Sequence, residues 1–310
     1  MEEDTINIPE NFFLYKACNK GQVEKARKLL KKGANPNVQN KNGYTLLHIS
    51  ENYKVIQLLL SYGVNVNATS KCGNTPLHFA AIRMNMQKMT QLLNCGADPN
   101  ILNNRNDTAL HHVLMNYGRI DQDVLLEAIN ILTDFGAEID NQDYNAETAL
   151  YLAVMGTHTK RMKSPPKTVL KLLQLGANPN ISNSNGLTAL HLAASKCNIH
   201  IMRILLEHGA DPNALENYSR YSALHMAFDY NYHILYNYNI PDREKYRIEA
   251  IELLVKYGAK INFKHEYLRS RAYICLSLSS PSSSSGYLSI KSWTIEIHVL
   301  TFWIPASKNL

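Results

Sequence analysis

Apolar residues along this chain fall into two alternating patterns separated by polar turns. The first is short and opens on Thr or Ser. It occurs as Thr45-Leu-Leu-His48, Thr75-Pro-Leu-His78, Thr108-Ala-Leu-His111, Thr148-Ala-Leu-Tyr151, Thr188-Ala-Leu-His191 and Ser222-Ala-Leu-His225. Leu77, Ala80 and Ala81 follow Thr75 at helical spacing, so one face of a short helix is apolar. The leading hydroxyl suits a helix N-cap, and Pro76 stands where its missing N–H is not needed. The second pattern is also helical, as in Ile201, Ile204 and Leu205. It closes on two apolar residues, two more residues and Gly: Leu29-Leu30 with Gly33, Leu92-Leu93 with Gly96, Leu205-Leu206 with Gly209. Glycine there ends the helix in a left-handed conformation. Turn residues follow, as in Gly96-Ala-Asp-Pro-Asn100 and Gly209-Ala-Asp-Pro-Asn213.

Each unit is therefore helix, turn, helix and a hairpin-like finger. One such pair cannot bury its apolar face alone, so the units must stack. The fingers have nearly constant length: Gly to the next Thr is 12 residues in five units and 13 before Ser222. Length changes fall between Thr and the closing Gly. This predicts long inter-helix loops around 116–123, 156–166 and 229–246, and a clipped helix in the short unit at 45–63. The Gly before Thr (Gly43, Gly73, Gly186) becomes Asn106 and Ala146. Asn tolerates a left-handed turn, whereas Ala is strained in one.

The recurring T-P-L-H-x-A and L-L-x-x-G-A-D-x-N phrases resemble the ankyrin repeat family over roughly residues 11–265. The pattern recurs six times, after a degenerate first unit with Leu14 and Ala17. The resemblance implies an all-α ankyrin solenoid of about seven helix pairs. The chain divides into a repeat domain at 1–267 and a Ser-rich, non-repeat tail at 268–310. In ankyrin proteins the finger tips and first-helix ends line a concave protein-binding face. Carried over by position, that face holds Lys41, Lys71, Asn74, Ile82, Arg83, Arg105, Tyr144, Lys196, Tyr218 and Arg220. The expected function is protein–protein interaction, as adaptor, scaffold or inhibitor, by a monomer whose protein partner is unidentified. Alternatives are a substrate-recruiting subunit of a ubiquitin ligase and a nucleic-acid or chromatin regulator. The first usually needs a ligase-binding box, and 268–310 shows no F-box-like or SOCS-box-like segment. The second would use Lys41, Lys71, Arg105 and the basic stretch 160–163, with steep salt dependence.

Composition narrows the classes further. Thirty-two Lys plus Arg against 26 Asp plus Glu give a charge of +6 over 310 residues, too little to make nucleic acid the default partner. No run approaches the length of a membrane span. The start MEEDTINIPENFF is acidic and polar, unlike a secretory or mitochondrial leader. Five scattered cysteines with no C-x-x-C fit reduced thiols, hence a cytoplasmic or nuclear protein. The histidines His48, His78, His111, His191 and His225 come one per unit, too far apart to share an ion. No phosphate loop or nucleophile motif occurs, so no enzyme, cofactor or metal is expected.

Some segments stay open at this level. The Tyr-rich loop at 229–246 is either an interface or packed on its own helices. Lys160-Arg-Met-Lys163 before Ser164-Pro165 is a polar loop or a phosphorylation-controlled patch. The tail ends in a β-like stretch from Trp293 to Trp303. It fits an edge strand, a partner-binding segment, or an unrelated C-terminus from alternative splicing or a truncated gene model. If the array ends at Asn262, Ile251 and Leu254 need a cover.

Overall fold

The computed structural model describes residues 9–116, 120–156, 167–228 and 243–260, and two short strands at 274–277 and 296–299. Seven helix pairs follow one another among these residues. They are α1 (Pro9–Asn19) with α2 (Val23–Lys31), α3 (Leu46–Ile49) with α4 (Tyr53–Ser61), and α5 (Pro76–Ile82) with α6 (Met86–Asn94). Next come α7 (Ala109–Met115) with α8 (Gln122–Asp134) and α9 (Ala149–Met155) with α10 (Lys167–Gln174). The last two are α11 (Ala189–Ser195) with α12 (Ile199–Glu207) and α13 (Ala223–Phe228) with α14 (Arg243–Lys256). First helices pack on first helices and second helices on second helices, pair after pair. The architecture is the all-α ankyrin solenoid that the repeats imply.

The apolar positions of both patterns form one continuous core along the stack. Leu77, Ala80, Ala81, Met89 and Leu92 are buried in the third pair, and Leu190, Ala193, Ala194, Ile201 and Leu205 in the sixth. Ile251 and Leu254 are also buried and join this core, with α14 packed on α12 and α13. The exposed apolar residues of α14 are Tyr246 and Ile248.

The repeated Thr and His make one hydrogen-bond unit that links neighbours. In the second unit, Nδ1 of His48 accepts from the Thr45 N–H at 3.0 Å and lies 2.8 Å from the Thr45 hydroxyl. Nε2 of His48 lies 2.9 Å from the Asn74 carbonyl of the next finger. A carbonyl only accepts, so the proton sits on Nε2 and the ring is neutral. His78 reaches the Asp107 carbonyl at 2.9 Å, His111 that of Glu147 at 3.2 Å and His191 that of Tyr221 at 3.1 Å. Burial lowers the pKa of all four, that of His48 to about 4, with the Asn74 hydrogen bond only partly opposing.

A second ladder runs along the opposite turns. The Asn100 amide donates to the Gly136 carbonyl at 2.9 Å, and its oxygen accepts from the Glu138 N–H at 2.8 Å. Asn180 and Asn213 hold their successors in the same way. Asp140 stands at this place in one unit and accepts from the Asn178 N–H at 3.0 Å, with no amide to donate.

Length changes are absorbed in two ways. The deletion at 45–63 removes helix: α3 has 4 residues where α5, α7, α9 and α11 each have 7. The insertions were expected in loops, yet α8 has 13 residues and α14 has 14, against 9 in α6 and α12. Part of the extra chain thus extends the second helix. Asp121 accepts from the Asp123 N–H at the lengthened start of α8. In the fifth pair the described part of α10 has 8 residues. Of the expected loops at 116–123, 156–166 and 229–246, residues 117–119, 157–166 (with the 160–163 stretch) and 229–242 lie outside the described residues. In the tail, β1 (Ile274–Ser277) and β2 (Glu296–Val299) pair antiparallel, with Ile274 opposite Val299 and Ser277 opposite Glu296.

Candidate functional site: the fingers and the first-helix ends

Five of the fingers among the described residues are closed from within by one acceptor side chain; at the sixth, the equivalent Ser70 hydroxyl is buried and makes no such bond. Oδ1 of Asn103 takes the N–H groups of Arg105 at 2.8 Å and Asp107 at 2.9 Å. Asn40, Asp143 and Asn183 do the same for residues two and four further on. The finger before Ser222 is one residue longer, and there the acceptor is Glu216. Its Oε2 takes the Tyr218 N–H at 2.7 Å and its Oε1 the Tyr221 N–H at 3.1 Å. The added methylene and the use of both oxygens span the added residue. Asp143 and Glu216 are consequently buried structural acceptors.

Neighbouring fingers are tied tip to tip. The N–H of Lys71 donates to the Asn42 carbonyl at 3.0 Å, Asn104 to Cys72 at 3.0 Å and Tyr144 to Arg105 at 2.8 Å. Ser184 donates to Asn145 at 2.9 Å and Asn217 to Asn185 at 2.9 Å. These links require close approach. A Cβ on Gly73 would lie 2.7 Å from the Asn104 backbone nitrogen, with φ at +77°. Asn106, Ala146 and Arg220 occupy the equivalent left-handed position at φ 56°, 58° and 57°. The result is a continuous ribbon of tips whose side chains stand on a fixed backbone.

The expected contact residues divide on this frame. Tyr144 and Tyr218 stand out, 76% and 77% exposed, on tips separated by the 183–187 finger. Lys41, Lys71 and Arg105 are exposed at earlier tips, and Arg105 lies 3.9 Å from the buried Asp107 carboxylate. Arg220 is exposed beside Tyr218. Ile82 is exposed at the end of α5, and Arg83 beside it pairs with Glu51 of the preceding unit. Asn74 is half-buried; its side chain accepts from Asn103 at 2.8 Å, so it belongs to the finger framework.

Lys196 departs from the expectation. It is 3% exposed, and its ammonium donates to the Val154 and Met155 carbonyls at 3.1 and 2.6 Å. The C-terminal carbonyls of α9 lack intrahelical donors, and Lys196 supplies one from the next unit. Lys88 does the same for α3, reaching the His48 and Ser50 carbonyls at 3.2 and 2.8 Å. Burial lowers both ammonium pKa values to about 8. Neither lysine is available to a partner.

Sequence reasoning missed Met115 and Met155. They end α7 and α9 at the place where Ile82 ends α5, and all three are exposed. Their signal was present as the last apolar residue of each Thr-led pattern. Nearby, Asp107 is buried, with His112 at 4.0 Å and the Asn103 amide at 3.3 Å from its Oδ2. Burial, with the neighbouring His78, His111 and Arg105 also disfavouring a second positive charge, lowers the His112 pKa to about 4. Among the described residues, no His, Cys, Asp or Glu grouping is arranged to hold a metal ion. No helix among them is long and apolar enough to cross a membrane.

Comparison with known proteins agrees with this geometry. A family model of ankyrin repeats, in three copies, matches residues 14–100 and 161–265. The ankyrin repeat protein L371 of Acanthamoeba polyphaga mimivirus is 27% identical over 214 residues, which is 60% of this chain and 27% of that protein. ZDHHC13 of Danio rerio, named for palmitoyltransferase activity, is 26% identical over 219 residues, 69% of this chain and 32% of its own. Ankyrin repeat protein B18 of Vaccinia virus (strain Ankara) is 26% identical over 219 residues, 63% of this chain and 37% of its own. The chain thus spans about a third or less of the length of the first two relatives and little more of the third. Ankyrin repeats are generally protein-interaction modules and are typically not enzymatic. With the Thr-x-Leu-His units, the tied fingers and the two helix layers in place, and the family model matching more than half of its length, this chain belongs to the ankyrin repeat family.

Proposed function

We propose that the chain is a protein-recognition module whose contact face is the finger ribbon together with the exposed first-helix ends. One observation carries this: Tyr144 and Tyr218 are almost fully exposed on tips whose backbones are hydrogen-bonded to their neighbours. Exposed tyrosine on a fixed backbone supplies contact area at low entropic cost, and such residues dominate interface energetics. Lys41, Lys71, Arg105 and Arg220 flank them, and Ile82, Met115 and Met155 add an apolar row. The recognition domain is residues 1–267, acting as a monomer, with 268–310 outside it.

The test is affinity purification with mass spectrometry on the full chain and on a Tyr144→Ala, Arg105→Ala, Tyr218→Ala variant. All three side chains are exposed, so the thermal melt should be unchanged. The variant is expected to lose the specific partners of the parent. Recovery of the same partners in the same amounts would overturn the assignment of this face.

A further inference from the structure

The longer finger before Ser222 does more than preserve the ribbon. Beside it lies a cavity of about 350 Å³ whose walls include Leu187, Glu216, Tyr218, Ser219, Tyr221 and Met226. Its volume is at the lower end of the range for ligand clefts. Glu216 is 5% exposed. Its oxygens take two backbone N–H groups, yet no Lys or Arg among the described residues lies within ion-pair distance of it. The cavity therefore combines a buried uncompensated carboxylate, two tyrosines and two apolar side chains.

That combination selects one chemical class. A carboxylate repels anions, and an unpaired buried charge disfavours a neutral apolar occupant. A basic side chain satisfies every wall at once. Its methylene stem packs on Leu187 and Met226, its cationic head meets Glu216, and the tyrosine faces attract the same charge. The other closing side chains differ: Asn40, Asn103 and Asn183 are neutral, and Asp143 is one methylene shorter and closes its finger through a single oxygen. We propose that this cavity receives an arginine or lysine side chain of a partner protein. The proposal rests on the finger face being the recognition surface, but it can be tested without the partner.

The probes are N-acetyl-arginine methylamide, its lysine counterpart and its citrulline counterpart, a neutral isostere of arginine. Each is titrated into the full chain carrying ¹³C-methyl labels on Met and Leu. The Met226 and Leu187 methyl resonances are expected to shift saturably with arginine or lysine, at millimolar affinity for a single side chain. Citrulline should bind at least about tenfold more weakly, and added salt should weaken the charged probes. Tyr218→Ala should weaken the charged probe roughly tenfold at most, without altering the fold. Glu216→Gln should abolish the preference for charge; because it also removes one finger acceptor, Tyr218→Ala serves as the independent variant. Equal binding of arginine and citrulline, or unmoved Met226 and Leu187 methyls at saturating probe, would overturn the proposal. Arginine binding with unchanged partner recovery in the Tyr144, Arg105, Tyr218 variant would leave the cavity assigned and refute the recognition face. The converse outcome would refute the cavity alone.

Discussion

The histidine ladder should make this solenoid sensitive to mild acid. His48 is fully buried and hydrogen-bonded through both nitrogens in its neutral form. A proton on Nδ1 would destroy the bond from the Thr45 N–H. The ring titrates near 6.5 when unfolded and at about 4 in the folded chain. Above pH 6.5 neither state binds the proton, and the stabilisation is fully present. Below it the unfolded chain takes up a proton that the folded chain refuses, so stability is lost as the pH falls toward 4. Between pH 7 and pH 5 this one ring accounts for about 2 kcal/mol, and its slope near pH 5.5 is about 1.2 kcal/mol per pH unit. His78, His111, His112 and His191 shift in the same direction and add to it. Glu147 opposes them: burial and the neighbouring Asp143 lift its pKa to about 6, so the folded chain takes up a proton there over the same range. Comparing the parent with His48→Gln removes that offset. Urea unfolding followed by circular dichroism from pH 7.5 to 5 should show the parent losing stability. The variant, weaker at pH 7.5, should have a shallower slope by roughly one proton. Parallel slopes for the two proteins would refute the neutral, doubly bonded state assigned to His48.

Other substitutions test the framework and the site separately. Ala146→Gly should raise stability by about 1 kcal/mol, because Ala146 sits at φ 58° where three other fingers carry Gly; a lower melting temperature would sink this account. Lys88→Met should cost about 2 kcal/mol, since the buried His48 and Ser50 carbonyls lose their donor. Lys196→Met should likewise lower the melting temperature while leaving partner recovery unchanged once folded; selective loss of partners would restore it to the contact face. Asn100→Asp should cost about 1 kcal/mol by removing the amide that donates to the Gly136 carbonyl, read as a lower urea midpoint.

The repeat pattern made the fold legible because each unit repeats its own punctuation. Thr opens the first helix, Gly closes the second, and the apolar positions between them are the buried ones. Even the weak places were visible: Ala146 does adopt a left-handed conformation, and the short unit at 45–63 does have a clipped helix. The contact face was less legible because position in a repeat does not say where a long side chain ends. Lys196 stands where surface residues are expected, but its four-carbon stem carries the ammonium back to the end of α9. The insertions misled for a related reason. Residues 122–125 can continue a helix as readily as form a loop, and Asp121 supplies the cap that decides it.

Glu216 shows how a binding feature can arise from a structural repair. An extra residue in a finger separates the two N–H groups that one Asn oxygen ordinarily collects. Restoring closure calls for a longer side chain with two acceptor atoms directed apart, and a carboxylate meets that geometry. Glutamine would match the length but offers one acceptor and one donor group, so one N–H would face an amide NH₂. The same choice places a carboxylate where Asn40, Asn103 and Asn183 carry a neutral amide. It lies beside two tyrosines set one on each side of the added residue, at Tyr218 and Tyr221. Deleting one residue from 217–220 together with Glu216→Asn should therefore rebuild an ordinary finger and melt like the parent. If that repaired chain still preferred arginine to citrulline, the charge specificity would have to come from elsewhere on the face. If it lost the preference while keeping its stability, closure and recognition would be two consequences of one side chain.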